Sequence, residues 1–287
     1  MKRNIITVCA IDIIFLLLLV ASSAIPGLGG ELIYALAFIL PTIVGIIAIH
    51  KEKKSLHREG VIDFCEDEEE LPEAKAQATI RVKLDAEGIR LTLPLIIPCA
   101  AIICLISLAF SALGKLLGIE GPTNPSEPFF AALLTYALLP AVLEEVLFRY
   151  VPLKLSAASG TSMRYAVMLS AVMFAFGHLN LLQIPYALAA GLIFAWLDVI
   201  TDSILPSVIL HAANNAISLL LTYFGVNAAT LIPLGVLLAA SVAALILMRG
   251  RYIDKTRELL PKESTEISAA PLLYVLPALL LAILSAF

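Results

Sequence analysis

The chain has few charged residues for its length. Only 15% of its 287 residues are charged and 60% are hydrophobic, with a mean hydropathy of +0.97. Soluble domains have about 25% charged and about 45–50% apolar residues, so a water-soluble fold is excluded. The net charge of −4 predicts no basic surface for nucleic acid, and we expect no nucleic-acid partner.

The sequence has only four cysteines and lacks several well-known catalytic motifs. The four cysteines, Cys9, Cys65, Cys99 and Cys104, have neither the spacing of a disulfide framework nor that of a zinc ribbon. We interpret them as ordinary small apolar residues. The sequence contains no Gly-x-Ser-x-Gly, His-Glu-x-x-His or Gly-x-Gly-Asp motif. These absences exclude several well-known classes of intramembrane hydrolase.

Long apolar runs separate the clusters of charge. A helix that crosses a hydrocarbon core of ~30 Å needs about 20 mostly apolar residues, and its backbone groups must be satisfied within the segment. The runs do not alternate as barrel strands would. They predict an all-α, polytopic transmembrane helix bundle of eight or nine spans, the last interrupted by two prolines. The approximate segments are 5–24, 32–49, 93–117, 129–150, 165–178, 185–200, 204–224, 228–248 and 269–287.

The distribution of cations predicts the orientation. An N-terminus in the cytoplasm places nearly all lysines and arginines on the cytoplasmic side and only Lys115 outside, as the positive-inside rule requires. We therefore expect a multi-pass protein of the cell membrane with a cytoplasmic N-terminus. The first segment resembles a signal peptide, but its apolar run is long for one, and we interpret it as an uncleaved helix.

The polar stretch at 51–90 is the one sizeable cytoplasmic loop that we predict. Its acidic run at 66–70 is typical of a solvated surface. Apolar and charged residues then alternate over 80–85, a turn signal follows at 86–88, and apolar residues recur at every second position over 89–93. This pattern predicts a small β-hairpin near the membrane surface.

Polar side chains inside spans are costly, so each needs an explanation. The fourth span contains Glu144, Glu145 and Arg149; the fifth contains His178 after Phe174; the seventh contains His211 and Asn215. These residues form three pairs with i,i+4 spacing, and the two members of each pair can share a helix face. The pairs are Glu145 with Arg149, Phe174 with His178, and His211 with Asn215. Glu144 is rotated by about 100° from Glu145 and can point elsewhere.

One structural and two catalytic interpretations fit these residues. Polar groups in spans can be interhelical hydrogen-bond contacts with no further role. Two imidazoles, an amide and paired carboxylates on three helices also suit hydrolysis, in which a carboxylate deprotonates water and a His/Asn pair stabilises an oxyanion. Alternatively, Glu144, His178 and His211 could supply three ligands to zinc and leave the fourth position for water.

The ordered motifs resemble a known family. Glu144-Glu145-x-x-x-Arg149, Phe174-x-x-x-His178 and His211-x-x-x-Asn215 are similar to those of the CAAX protease and bacteriocin-processing family, which includes the type II CAAX prenyl endopeptidases. The resemblance covers residues 129–224, with spans four to seven as the catalytic core. The two N-terminal spans at 1–50, the third span and outer loop at 91–128, and the C-terminal spans with their basic loop at 225–287 lie outside it.

The resemblance implies a role for each residue. Glu144 corresponds to the general base and His178 to the residue that positions the water. His211 and Asn215 correspond to the oxyanion stabilisers, and Glu145 with Arg149 to a supporting pair. The family has been assigned both zinc-dependent and metal-free water activation, and both stay open here.

The resulting prediction is an intramembrane endopeptidase that cleaves peptide bonds near the cytoplasmic face. Its partners would be membrane lipids and a peptide or protein substrate that could carry a C-terminal lipid. An alternative is a non-catalytic immunity or scaffold protein that holds a partner through the same polar cavity. A third possibility, a proton-coupled transporter, is disfavoured because no inverted repeat or pair of broken helices is visible.

Overall fold

The fold is an assembly of helices. The computed structural model describes residues 2–58, 80–118, 126–158 and 162–260. The helices in these ranges are α1 (Lys2–Ala24), α2 (Leu28–Arg58), α3 (Ala86–Thr92), α4 (Ile96–Leu116), α5 (Phe129–Ala132), α6 (Leu139–Glu145), α7 (Val151–Ala158), α8 (Met163–Gly177), α9 (Ile184–Thr201), α10 (Leu205–Phe224) and α11 (Ala228–Leu259). A 3-10 turn at Leu93–Leu95 joins α3 to α4, and π-helical stretches at Leu133–Leu138 and Val146–Tyr150 join α5, α6 and α7 into one continuous fourth span.

The predicted polytopic helix bundle is confirmed. Within the described ranges, seven helices are long and apolar enough to cross a membrane, as expected of a multi-pass membrane protein. They are Asn4–Ala24, Leu28–Glu52, Ala86–Leu116, Phe129–Ala157, Ile184–Thr201, Leu205–Phe224 and Ala228–Leu259.

The predicted fifth span is shorter than the others. It forms α8, which has 15 residues and is about 22 Å long at 1.5 Å per residue. That length is less than the ~30 Å hydrocarbon core. The predicted ninth segment, 269–287, lies outside the described residues.

Small residues bring α8 and α9 into close contact. A Cβ atom added at Gly191 of α9 would lie only 3.0 Å from the Cα atom of Ala171 in α8. Ala175 and Ala187 are also buried in the main apolar core. Small side chains at helix interfaces in membranes allow backbones to approach closely. The α8–α9 pair is therefore a tightly packed support for the polar residues that it carries.

The N-terminal hairpin of α1 and α2 packs against the fourth span. Phe15 of α1 lies edge-on to Phe38 of α2, with ring centroids 5.1 Å apart, and edge-on to Phe148 of the fourth span, 5.2 Å apart. Edge-to-face aromatic pairs are worth about 0.5–1.5 kcal/mol beyond their buried area. The first two spans thus brace the fourth, although they lie outside the region of family resemblance.

The predicted β-hairpin is wrong. The carboxylate of Asp85 accepts a hydrogen bond of 2.7 Å from the backbone N–H of Gly88 and caps α3, so the second half of the predicted hairpin is a helix. Arg81 instead forms a parallel bridge with the turn between α9 and α10. Its N–H donates to the carbonyl of Asp202 and its carbonyl accepts from Ile204 N–H, each at 3.0 Å. The acidic run at 66–70 lies outside the described residues.

The last described helix, α11, forms hydrogen bonds with α3 and α9. The hydroxyl of Tyr252 in α11 donates to the carbonyl of Leu91 in α3 at 2.6 Å. The indole N–H of Trp196 in α9 donates to Thr256 Oγ1 of α11 at 2.9 Å. These contacts hold the ends of α3, α9 and α11 against one another beside the turn that precedes α10.

Candidate active site

A buried ion pair lies at the centre of the fourth span. Arg149 Nε lies 3.1 Å from Glu145 Oε2, and both side chains are fully buried. Arg149 belongs to the π-helical stretch that directly follows Glu145. Such π-helical turns change the direction in which later side chains point and are frequent at functional sites. The contact is an ion pair without the alignment of a hydrogen bond, because the described part of the chain provides no hydrogen-bond partner for Glu145 Oε2 or for the guanidinium.

His211 lies between the two glutamates. Its Nδ1 lies 2.7 Å from Glu145 Oε1, and its Nε2 lies 4.0 Å from Glu144 Oε2. Glu145 is held as a carboxylate by Arg149, so Nδ1–H is the donor. The 4.0 Å separation exceeds a direct hydrogen bond, but one water could reach both atoms at about 2.8 Å. Glu144 is the accessible acid, since its side chain is 17% exposed and that of Glu145 is 0% exposed.

The ring of Phe174 joins the two histidines to the arginine. Its centroid lies 4.8 Å from that of His178 and 5.5 Å from that of His211. The guanidinium carbon of Arg149 lies 3.9 Å from the same centroid, within the range of a cation–π interaction. Moving Phe174 would therefore displace three polar side chains at once.

The orientation of His178 is set by its own helix. Its Nδ1 lies 2.8 Å from the carbonyl oxygen of Phe174 and donates to it, which leaves Nε2 free. Glu144 and His211 both lie within electrostatic range of this imidazole. One acid and two imidazoles from three spans therefore share one buried region.

Asn215 lies one helical turn beyond His211. Its Nδ2 donates to the carbonyl of Tyr136 at 3.4 Å, and it touches neither histidine through a hydrogen bond within the described residues. That carbonyl belongs to the π-helical stretch Leu133–Leu138, where the hydrogen-bonding pattern departs from the α-helical one. Asn215 thus lies at the edge of the site rather than at its centre.

Two further residues belong to the site and were not predicted. The ring centroid of Phe194 in α9 lies 5.7 Å from that of His211 and 5.7 Å from the guanidinium carbon of Arg149. Asp198, also in α9, is fully buried and lies within electrostatic range of Arg149 and Glu145. A carboxylate inside an apolar run was a sufficient signal for Asp198. Phe194 gave no signal, because it is one aromatic residue among many apolar ones.

The grouping of acidic, imidazole and thiol side chains bears on the predicted zinc site. Among the described residues, no three or more His, Cys, Asp or Glu side chains are grouped so that they could hold a metal ion. Zinc binding by Glu144, His178 and His211 and metal-free activation of water both stay predictions.

The arrangement suits deprotonation of a water molecule. Glu145, which is paired with Arg149, holds Nδ1 of His211, so its Nε2 faces Glu144. Glu144 is close to both imidazoles and has no ion pair with Arg149, unlike its neighbour. The two acids therefore differ: Glu145 is fully buried and paired with Arg149, and Glu144 is partly exposed and lies nearer to His211 Nε2.

Comparisons with known proteins agree with the motif-based resemblance. A search of the curated proteins and a search of the solved structures each found no match. A family model does match, and its segment contains every motif residue described above. The resemblance inferred from the three motifs is thereby confirmed, since residues 126–217 match the Rce1-like family, described as type II CAAX prenyl endopeptidase Rce1-like.

Proposed function

We propose that the protein is an intramembrane endopeptidase in which Glu144 activates water for the hydrolysis of a peptide bond. The matched family implies a protease that acts on a peptide or protein. The observation that carries the proposal is the position of the partly exposed Glu144, 4.0 Å from an imidazole that Glu145 and Arg149 hold in place.

The reaction needs only groups of this chain and water. Glu144 takes a proton from the water while the water oxygen bonds to the carbonyl carbon, and the carbonyl electron pair moves to oxygen. His178 Nε2 positions the water. The C–N bond then breaks, and the proton on Glu144 passes to the leaving nitrogen, which gives an acid and an amine.

His211 and Asn215 are proposed to stabilise the oxyanion. To donate from Nε2, His211 must be protonated on both nitrogens, because Nδ1–H is already bound by the Glu145 carboxylate. The Oδ1 of Asn215 accepts a hydrogen bond from Asn214 Nδ2 at 3.3 Å, and its Nδ2 donates one long hydrogen bond, of 3.4 Å, to the carbonyl of Tyr136. That bond is weak enough to be exchanged for one to the substrate.

The test compares isosteric variants in a cleavage assay. Purified Glu144→Gln should cleave an internally quenched peptide about 10²–10⁴-fold more slowly than the wild type, which is the usual contribution of a general base. Glu87→Gln, which changes an exposed glutamate of α3, is the matched control and should cleave at the wild-type rate. Unchanged cleavage by a folded Glu144→Gln variant would contradict the proposal.

The same assay addresses substrate and metal. Paired peptides with and without a C-terminal prenylated cysteine test whether a lipid is recognised. Elemental analysis of active protein, with chelator treatment, tests the metal-free scheme, and stoichiometric zinc with chelator inhibition would overturn it. An immunity or scaffold role predicts instead that folded Glu144→Gln retains the cellular phenotype.

The site is proposed to open toward the cytoplasm, with the N-terminus on the same side. The clustering of cations supports this orientation. A membrane-impermeant maleimide applied to intact cells should not label Cys65 of the 51–90 segment. In a background that lacks the native cysteines, it should label Lys115→Cys, which replaces the exposed lysine at the end of α4. The reverse labelling pattern would overturn the proposed orientation.

A further inference from the structure

The helix that carries His211 begins without a capping side chain of its own. The residue before α10 is Ile204, whose side chain makes no capping hydrogen bond. The first free amides are satisfied by α9 and the turn after it. Leu205 N–H donates to Ser203 Oγ at 3.2 Å, and Ser207 N–H donates to Asp198 Oδ1 at 3.0 Å. Buried amides need such partners, because an unsatisfied one costs about 1–3 kcal/mol.

Asp198 reaches this position because the chain reverses sharply after α9. Asp202 has a left-handed backbone with φ of 48°, which ends α9 and returns the chain toward it. The side chain of Asp198 is fully buried, as is Ser207. Carboxylates are favoured at the N-terminus of a helix, where the free N–H groups and the helix dipole are positive. This acid therefore anchors the first turn of α10 from a neighbouring helix.

Asp198 is also close to the buried charges of the site. Its second oxygen has no hydrogen-bond partner within the described residues, and Arg149 and Glu145 lie within electrostatic range of the carboxylate. Ser207 and His211 are four residues apart, so they lie on one face of α10, about one turn or 6 Å apart along the axis. The backbone amide held by Asp198 is thus one turn from the imidazole held by Glu145.

We infer that Asp198 is a positioning residue for the proposed hydrolysis, which holds the first turn of α10 so that His211 stays between Glu144 and Glu145. The role rests on the proposed function and depends on an acceptor oxygen at position 198. Loss of that oxygen frees the first turn, and a displacement of about 1 Å at a catalytic group can reduce the rate about 100-fold.

The kinetic test compares variants that keep or lose the acceptor oxygen at position 198. Asp198→Ala should lower kcat about 10–100-fold and leave KM nearly unchanged, since this side chain is fully buried. Asp198→Leu also lacks an acceptor oxygen but leaves no cavity at this position. It replaces the alanine variant if that variant folds poorly, and it should lower kcat to a similar extent. Asp198→Asn keeps an acceptor oxygen and should restore kcat to within about fivefold, the range of a single helix cap of ~1 kcal/mol. The matched control is Asp12→Ala, which removes a buried carboxyl group in α1 and should leave kcat unchanged.

A second measurement is independent of catalysis. Nitrogen-15 labelling of the four histidines, with His211→Gln for assignment, reports the hydrogen-bonded Nδ1–H of His211. Asp198→Ala should shift or broaden this resonance, and Asp198→Asn should preserve it. If the wild type cleaves no peptide but the resonance responds in this way, the proposed function fails while the positioning role stands. An unchanged resonance or wild-type kcat in Asp198→Ala, or an Asn variant as impaired as the Ala variant, would overturn the inference.

Discussion

Gly177→Ala tests how tightly the aromatic core holds the site. The added Cβ atom would lie 2.8 Å from Phe148 Cζ and 3.4 Å from Phe15 Cε1. Carbon atoms pack best at about 3.5–4.0 Å, so the Phe148 ring must retreat by about 1 Å. That ring already lies edge-on to Phe15, with centroids 5.2 Å apart, and to Phe174, 5.9 Å apart. The displaced Phe148 ring therefore has no free space to move into.

We expect the substitution to lower the free energy of unfolding and the rate of hydrolysis together. Overpacking a filled core costs about 1–3 kcal/mol, which corresponds to a fall in Tm of about 2–4 °C per kcal/mol in proteins of about this size. Phe174 receives the displacement and contacts both imidazoles, so kcat should fall as well. Thermal unfolding in detergent and cleavage of a quenched peptide measure the two effects.

A second glycine provides the control. A Cβ atom at Gly235 in α11 would have nothing within 4 Å. Gly235→Ala should therefore stabilise the helix by about 0.5–1 kcal/mol through backbone entropy and leave hydrolysis unchanged. Adding Phe148→Leu to Gly177→Ala should recover part of both losses. The reasoning is refuted if Gly177→Ala unfolds at or above the wild-type temperature and cleaves at the wild-type rate.

The remaining predictions concern polar contacts. Glu145→Gln leaves Arg149 buried without its ion pair and should destabilise the protein by about 3–5 kcal/mol, with loss of hydrolysis, measured by thermal unfolding and peptide cleavage. Tyr252→Phe removes the hydrogen bond to the carbonyl of Leu91 and should cost about 1–3 kcal/mol without changing the hydrolysis rate of the folded fraction. Arg81→Ala breaks the ion pair with Asp202, in which both side chains are 40% exposed, and leaves the backbone bridge in place. The free energy of unfolding, measured by thermal unfolding, should therefore fall by less than about 1 kcal/mol.

Spans and motifs could be predicted because they depend on local properties. A hydrocarbon solvent forces each apolar run to satisfy its own backbone, so the segments from 5–24 to 228–248 each correspond to a described helix. The motifs were visible for a similar reason, since a polar residue in such a run is conspicuous. Asp198 was equally conspicuous and was overlooked because it belongs to no motif.

The error in the predicted hairpin came from a sequence pattern that a strand and a helix share. Alternating apolar residues after Asp85 fit a strand, but one side-chain cap to Gly88 N–H stabilises a helix there. A single local contact thus decided the outcome, and that contact does not change the composition.

By itself, the sequence determined that this is a helical membrane protein with acid, imidazole and amide side chains on three of its spans. Only the tertiary structure decided which glutamate pairs with Arg149, that His211 binds Glu145 and faces Glu144, and that Phe174 joins both imidazoles to the guanidinium. The physical reason is that helical periodicity sets the face a side chain occupies on its own helix. The partner on another helix depends on π-helical turns, close glycine contacts and the anchoring of α10, which act between segments distant in the chain.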